Sequence, residues 1–228
     1  MSPLWQTVTP PAGNGKLKVF ILAGQSNMQG KGSVEAGRDP NNYHKTIPGG
    51  LGSLRHMLNV DSNKLGYLVD ANRLSNTTVP GWRTMTNVWV SYFTSTTWPC
   101  AMTEARKGYL DADFGDLSSQ GRIGPEYGFG LVVGSQLGDP LLIIKTAWGG
   151  TSLAREWRPP SSGGTVGPCY TSMVAIVHGT LARLSTELTN FNYNGGGYEI
   201  AGFGWHQGGG TIVFPATSLP SAKRISSI

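Results

Sequence analysis

Four segments of the chain are strongly apolar and are predicted to form β-strands. Residues 18–24 and 141–148 are continuous apolar runs, residues 87–93 are rich in β-branched and aromatic side chains, and residues 199–205 form the last segment. Unbroken apolar runs are typical of strands that are buried on both faces of a parallel sheet, because a strand with one solvated face alternates instead. The pattern therefore predicts a mainly parallel sheet.

Two segments between these strands have the spacing of helices. Residues 125–137 open on Pro-Glu, which suits a first helical turn, and end before Gly-Asp-Pro. Residues 170–188 carry apolar side chains at helical spacing. The alternation of strand and helix predicts right-handed βαβ units and an α/β fold. Residues 30–85 and 95–122, rich in Gly, Asn, Ser and Thr, are predicted to be long loops with short elements over one end of the sheet.

Composition limits the classes of function. A length of 228 residues, 33 glycines and a charged fraction of 14% indicate one loop-rich domain with a sizeable core. The net charge of +5 is spread along the chain without a basic stripe, so a nucleic-acid partner is not expected. No CxxC or HExxH spacing occurs, and we therefore expect no metal and no cofactor.

Few features of the sequence bear on localisation or assembly. Residues 1–16 are interpreted as an N-terminal leader, and they lack the basic and apolar regions of a signal peptide. No apolar run approaches the length of a membrane span, so no membrane partner is expected. Localisation and oligomeric state stay open, as does the pairing of the two cysteines, Cys100 and Cys169.

Polar or glycine-rich turns follow three of the predicted strands. The first strand leads into Gly24-Gln25-Ser26-Asn27-Met28, the third into Trp148-Gly149-Gly150-Thr151-Ser152, and the fourth into His206-Gln207-Gly208. In open α/β sheets, ligands bind beyond the carboxyl ends of the strands. If the sheet is parallel, all three turns lie at one edge and can form one site.

These turns contain groups that suit acyl transfer. Ser26 can act as a nucleophile, and its own N–H can donate to the oxyanion of a tetrahedral intermediate. Gly149 or Gly150 can bring a second N–H close because no side chain blocks the approach, and Gln207 can add an amide donor. The structural alternatives are a helix N-cap at Ser-Asn and a simple turn at Gly-Gly. Spacing alone does not decide between these interpretations.

The segments GQSNM, IKTAWGGTSL and GFGWHQG, in this order, resemble the sialate O-acetylesterase-like carbohydrate esterases of the SGNH hydrolase superfamily. IGPEYGFG at 123–130 and WRPPSSGGTVGPCYTSM at 157–173 match as well, and the resemblance runs from about residue 17 to 208. It implies a three-layer α/β/α sandwich and metal-independent removal of O-acetyl groups from sugars. Carried over by position, Ser26 matches the nucleophile, and Gly149 or Gly150 together with Gln207 match the oxyanion-hole segments.

Further side chains near these segments are expected to contact the substrate. They are Gln25, Asn27, Thr151, Glu126, Arg155 and His206. Glu126 and Arg155 can equally anchor local structure, and Glu126 falls in a first helical turn, where a carboxylate is favourable for capping alone.

The sequence does not supply an identifiable general base. A serine nucleophile needs a base, usually a histidine that is oriented by a carboxylate, and the family provides it in a late DxxH-like segment. This chain has no such segment. His44 and His56 are expected to be solvent-exposed, and His178 is expected on a helix surface. His206 adjoins the site but does not occupy the family's base position.

The last residues of the chain depart from the family. Residues 17–208 are interpreted as one sialate O-acetylesterase-like domain, and residues 209–228 as a tail outside the family pattern. After Gly208 the family continues with an acidic segment, whereas this tail has no acidic residue. We hypothesise that the domain is truncated or frameshifted after Gly208. An incomplete C-terminal edge would leave an unpaired strand edge and apolar surface exposed, with low stability or poor solubility.

The main hypothesis is a serine-dependent hydrolase that removes O-acetyl groups from a carbohydrate such as sialic acid or an acetylated polysaccharide, with impaired activity in this chain. The first alternative is a carbohydrate-binding pseudoenzyme in which Trp148, Trp157 and Trp205 stack on sugars. Core packing is the other interpretation of these tryptophans, and it is favoured for Trp205. A third hypothesis is an esterase or lipase that acts on non-sugar acyl groups.

Overall fold

The computed structural model describes residues 12–74, 80–95, 100–117, 121–191 and 193–207. In chain order, its strands are β1 (Leu17–Gly24), β2 (Gly32–Ser33), β3 (Ala36–Asp39), β4 (Asn42–Pro48), β5 (Val69–Leu74), β6 (Pro80–Trp82), β7 (Met85–Phe93), β8 (Glu104–Leu110), β9 (Arg122–Ile123), β10 (Leu141–Ala147) and β11 (Tyr198–His206). Its α-helices are α1 (Ser26–Gln29), α2 (Leu54–Val60), α3 (Ser62–Leu65), α4 (Pro125–Gln136), α5 (Pro168–Ala182) and α6 (Leu184–Glu187), and short 3₁₀ turns lie at Gly66–Leu68 and Pro160–Ser162.

The central sheet has five strands in the order β11-β1-β10-β7-β8. The strands β11, β1, β10 and β7 are parallel to one another, and β8 pairs antiparallel with β7. The four predicted strands and the α/β fold with a mainly parallel sheet are therefore confirmed. β8 was not predicted, because it lies at a sheet edge and its sequence, EARKGYL, lacks the apolar run of a strand that is buried on both faces.

Helices cover both faces of this sheet. One core combines α5 and α6 with the side chains of β1 that face them, and the other combines α4 with the opposite face of β7 and β10. The predicted helix at 125–137 is confirmed as α4. The predicted helix at 170–188 is interrupted at Arg183, whose φ of −122° and ψ of 28° separate α5 from α6. The resulting arrangement is the expected α/β/α sandwich.

The region predicted as long loops contains the small two-stranded sheets β2–β9, β3–β4 and β5–β6. The Arg55 guanidinium donates two hydrogen bonds to the Glu35 carboxylate, from Nε at 3.0 Å and from Nη2 at 2.8 Å. It also lies 4.4 Å from the centre of the Trp82 ring. These contacts join the segments of Glu35, Arg55 and Trp82, whose neighbours Val34 and Leu54 belong with Trp82 to one hydrophobic cluster.

A β-bulge gives the edge strand β11 one apolar face. Ala201 is the extra residue, since Val19 pairs with Ile200 and Phe20 pairs with Gly202. The bulge places four large side chains on the face that α5 covers elsewhere in the sheet, and they are 36–57% exposed: Tyr198, Ile200, Phe203 and Trp205.

Cys100 and Cys169 form a disulfide bond, with their Cα atoms 5.0 Å apart. The bond joins the segment after β7 to the first turn of α5, and the Ser172 hydroxyl strengthens this link by donating to the Cys100 carbonyl at 2.7 Å. The pairing that the sequence left open is thereby settled. Within the described ranges, no helix combines the length and apolarity needed to cross a bilayer.

Candidate active site

Three turns meet at one edge of the sheet because β1, β10 and β11 run in the same direction. Gly24 at the end of β1 lies opposite both Ala147 of β10 and His206 of β11. The Trp148 N–H donates to the Gly24 carbonyl at 3.2 Å, and the Gln25 N–H donates to the His206 carbonyl at 3.3 Å. The convergence that the sequence predicts is therefore present, and main-chain hydrogen bonds hold the three turns together.

Gly24 is required by the close approach of β11. Its φ is +153°, and a Cβ atom at this position would lie 2.2 Å from the His206 carbonyl oxygen. Any side chain there would push β1 and β11 apart. The glycine thus allows the serine turn and the His206-Gln207 turn to lie side by side.

Ser26 is the first residue of the one-turn helix α1 and is half-buried. The N-cap is Gln25, whose side chain makes no capping hydrogen bond, and α1 therefore does not use the Ser26 hydroxyl as an N-cap. Asn27 is exposed beside it, whereas the Gln25 side chain is buried, which corrects the expectation that Gln25 contacts the substrate. The capping interpretation of Ser-Asn is wrong for this turn, and its serine stays accessible for chemistry.

The glycine turn after β10 is exposed, and the buried side chain of Thr151 packs beneath it. Gly149 and Gly150 both face solvent, and Gly150 has a φ of +74°. Thr151 is fully buried, and its hydroxyl donates to the Trp148 carbonyl at 2.6 Å and accepts from Trp157 Nε1 at 2.7 Å. Thr151 therefore shapes the turn instead of contacting a substrate, which corrects the expectation for this side chain.

Gln207 lies next to this turn. Its Nε2 donates to the Thr151 carbonyl at 3.0 Å, which uses one of the two amide hydrogens. Its Oε1 is buried without a hydrogen-bond partner among the described residues. Gln207 has one N–H left to donate, so its assignment to an oxyanion hole stays a prediction. His206, directly before it, is exposed at the sheet edge.

Glu126 was expected at the substrate, and the structure corrects this expectation. Its side chain is fully buried, and its Oε2 accepts from Lys145 Nζ at 2.6 Å, while its Oε1 accepts from the Gly124 N–H at 2.9 Å. Arg155, which follows the glycine turn, is exposed as a substrate contact requires.

Lys145 is a functional candidate that was missed from the sequence. It lies in the middle of β10, fully buried, and its Nζ donates to Gln29 O at 3.0 Å and Phe114 O at 2.6 Å besides Glu126. The Nζ atom is also 4.3 Å from the centre of the Tyr92 ring. Burial lowers the pKa of Lys145, and the Glu126 carboxylate opposes that shift. The sequence feature that could have revealed it is a lysine inside the apolar run LLIIKTAW, because a lysine on a buried strand needs a buried partner.

The histidines leave the general base unidentified. His44 on β4 and His178 on α5 are exposed, as predicted, but His56 on α2 is half-buried, unlike the prediction. Across the described residues, no histidine forms an ion pair with a carboxylate.

The tryptophans near the site differ in exposure. Trp148 and Trp157 are each 2% exposed, with ring centres 5.4 Å apart, and belong to the core. Trp205 is 36% exposed, so the core position favoured for it is wrong; the bulge places it on the same face of β11 as the exposed Phe203. It contacts Trp157 edge-on at 4.8 Å and lies nearly parallel to Phe203, at 17° and 6.4 Å.

Comparisons with known proteins place this chain in a family. A structural neighbour is a protein from Arabidopsis thaliana, whose X-ray structure was determined at 1.6 Å; it shares 16% sequence identity at a TM-score of 0.42. The match covers 86% of this chain and 58% of that chain, so this chain spans just over half of its neighbour's length. No curated protein matches the sequence. The family model described as carbohydrate esterase, sialic acid-specific acetylesterase, matches residues 16–212, and the chain therefore belongs to this family.

Proposed function

We propose that this chain is a hydrolase that removes O-acetyl groups from carbohydrates, with Ser26 as the nucleophile. The observation that carries the proposal is the meeting of the Ser26, Gly149–Gly150 and Gln207 turns at the carboxyl ends of three adjacent parallel strands. A polar site at this position suits ligand binding in an α/β sheet. Membership of a carbohydrate esterase family supports the choice of an acetylated sugar as substrate.

In the proposed reaction, Ser26 Oγ attacks the acetyl carbonyl carbon while a base accepts its proton. The carbonyl oxygen becomes an oxyanion, which accepts hydrogen bonds from the Ser26 N–H, from the N–H of Gly149 or Gly150, and from the free amide hydrogen of Gln207. The sugar hydroxyl leaves with a proton, and water then hydrolyses the acetyl-serine to release acetate. Each donor of this kind contributes about 3–4 kcal/mol to the stability of the transition state.

We expect slow turnover by the 228-residue chain. Within the described residues, no histidine forms an ion pair with a carboxylate, which is the arrangement that orients the base in a complete triad. In serine hydrolases, the oxyanion hole and binding alone give about 10³–10⁴-fold acceleration over water. Because attack by Ser26 adds to this contribution, we expect a rate about 10-fold or more above this level but far below that of a complete triad.

Acetate release from p-nitrophenyl acetate and from an O-acetylated sugar tests the proposal. Ser26→Ala should lower the rate by about 10-fold or more, a smaller effect than the roughly 10⁶-fold loss in an enzyme with a complete triad. The matched control is Ser161→Ala, at an exposed serine in the Pro160–Ser162 turn, which should retain the wild-type rate. Equal rates for Ser26→Ala and wild type would refute the proposal.

Added imidazole provides a second test because it can replace a missing base in solution. It should accelerate acetate release by the wild type more than by Ser26→Ala. Imidazole also hydrolyses the ester without protein, so this rate is subtracted first; equal acceleration of both proteins after the subtraction would count against Ser26 as the nucleophile.

A second candidate function is carbohydrate binding without turnover. Trp205 and Phe203 present nearly parallel, exposed rings on β11, next to His206, and exposed rings of this type can stack on the apolar faces of sugars. Titration calorimetry with an acetylated sugar distinguishes the functions. Heat of binding without acetate release, lost in Trp205→Ala, would favour the binding protein.

A further inference from the structure

Gln29 lies between the serine turn and the glycine turn and contacts both. It is the last residue of α1, three residues after Ser26, and it is 7% exposed. Its N–H donates to the Gln25 carbonyl at 2.8 Å, which closes the turn around Ser26. On the opposite side, a Cβ atom added to Gly149 would lie 2.5 Å from the Gln29 Oε1 atom. The amide group of Gln29 is thus packed directly against Gly149.

The other end of the Gln29 amide is tied to β10. Gln29 Nε2 donates to Thr94 Oγ1 at 3.1 Å, and the Thr94 hydroxyl donates to the Ala147 carbonyl at 2.6 Å. Ala147 is the last residue of β10, two positions before Gly149. These two hydrogen bonds therefore fix the position of the Gln29 side chain relative to the end of β10 and the glycine turn.

Lys145 holds the main chain of Gln29 from beneath. Its Nζ donates to the Gln29 carbonyl at 3.0 Å, and Glu126 with the Phe114 carbonyl receives its other hydrogen bonds. A buried lysine is costly unless all of its donors are satisfied, and here three acceptors satisfy them. Because Lys145 and the glycine turn belong to β10 and its continuation, this bond fixes α1 to the strand that carries the other half of the site.

We propose that Gln29, held by Lys145, is a positioning residue that sets the distance between Ser26 and the oxyanion donors of the Gly149–Gly150 turn. The inference rests on the proposed function. It assigns to Gln29 no contact with the reacting atoms. An oxyanion hole requires its donors within about 0.5 Å of their productive positions, and a displacement of about 1 Å can cost 10²-fold in rate.

The contact between Gln29 and Gly149 gives the proposal a coupled test. Gln29→Ala should lower kcat for p-nitrophenyl acetate by about 10–100-fold with little change in KM, because it displaces donors without removing a binding group. Gly149→Ala should have a similar effect, since its methyl group pushes Gln29 away. In the double variant Gln29→Ala/Gly149→Ala, kcat should be less than about 3-fold below that of Gln29→Ala alone, because the added methyl group then occupies the space left by the Gln29 amide. The control is Gln136→Ala at the end of α4.

Additive losses in the double variant would overturn the proposal, as would equal kcat values for Gln29→Ala and Gln136→Ala. Lys145→Met on its own leaves the Glu126 carboxylate buried and unpaired and can prevent folding. The double variant Lys145→Met/Glu126→Leu removes both charges and is expected to fold with kcat lowered about 10-fold. A folded double variant with the wild-type kcat would refute the part assigned to Lys145.

A measurement independent of activity separates this inference from the proposed function. Amide hydrogen exchange at Trp148, whose buried N–H donates to the Gly24 carbonyl directly before the glycine turn, should accelerate by about 10-fold or more in Gln29→Ala and stay unchanged in Gln136→Ala. If the wild type and Ser26→Ala release acetate equally, the proposed function fails, and the exchange rates still decide the positioning role. Unchanged exchange in Gln29→Ala would refute that role.

Discussion

The disulfide bond between Cys100 and Cys169 permits a quantitative prediction of stability. The two cysteines are 69 residues apart in the sequence. In the chain-entropy model, closing a loop of about this length removes about 15 cal/mol/K from the unfolded state, which corresponds to about 4 kcal/mol at 25 °C. Reduction of the bond should therefore lower the free energy of unfolding by up to about 4 kcal/mol.

The assay compares the thermal unfolding of the oxidised and the reduced wild type. Alkylation of the free thiols, followed by counting of the labels, verifies that reduction is complete. For a domain of this size, a loss of about 4 kcal/mol lowers Tm by about 8–16 °C. Reduction keeps both sulfur atoms, whereas Cys100→Ala/Cys169→Ala also removes packed atoms from positions that are 3% and 0% exposed. The double variant should thus be less stable than the reduced wild type by about 1–2 kcal/mol.

The double variant also controls for effects of the reductant, because its Tm should not respond to it. A fully reduced wild type that melts within about 2 °C of the oxidised protein would refute the reasoning. In that case the 69-residue loop would already be closed by structure in the unfolded ensemble, and the bond would add little.

Three substitutions test other parts of the fold. Gly24→Ala should destabilise the protein by about 3 kcal/mol in urea unfolding, because its Cβ would lie 2.2 Å from the His206 carbonyl; an unchanged midpoint would contradict the close approach of β11. The Arg55 hydrogen bond holds the pKa of Glu35 below its usual value of 4.5, so this stabilisation is present above about pH 4.5 and is lost as pH falls through the lower native pKa. Near neutral pH, Glu35→Gln should therefore be less stable than the wild type by less than about 1 kcal/mol, and it should lose less stability on acidification. A pH dependence of unfolding identical to that of the wild type would contradict the contribution assigned to the Glu35–Arg55 pair. Phe203→Thr should change the free energy of unfolding by less than about 0.5 kcal/mol in urea unfolding, because Phe203 is 49% exposed; a loss of about 2 kcal/mol or more would show that its ring is packed.

The apolar runs were sufficient to predict β1, β7, β10 and β11, because strands inside a covered parallel sheet have few polar positions. The same rule fails for β8, which pairs with one neighbour and is mostly half-buried or exposed. It also fails to predict the exposed position of Trp205. One extra residue, Ala201, changes which side chains of β11 share a face, and single-residue bulges leave no mark in the hydrophobic pattern.

The sequence by itself determines the strands, the order of the three turns that follow them and the family motifs, because these are local properties of short segments. Only the tertiary structure decides which polar groups are accessible. Glu126 looked like a substrate contact but is buried against Lys145, and Lys145 in turn holds Gln29, 116 residues away. Accessibility and support depend on packing between segments that are distant in the chain, so no local pattern could have separated the site from the network beneath it.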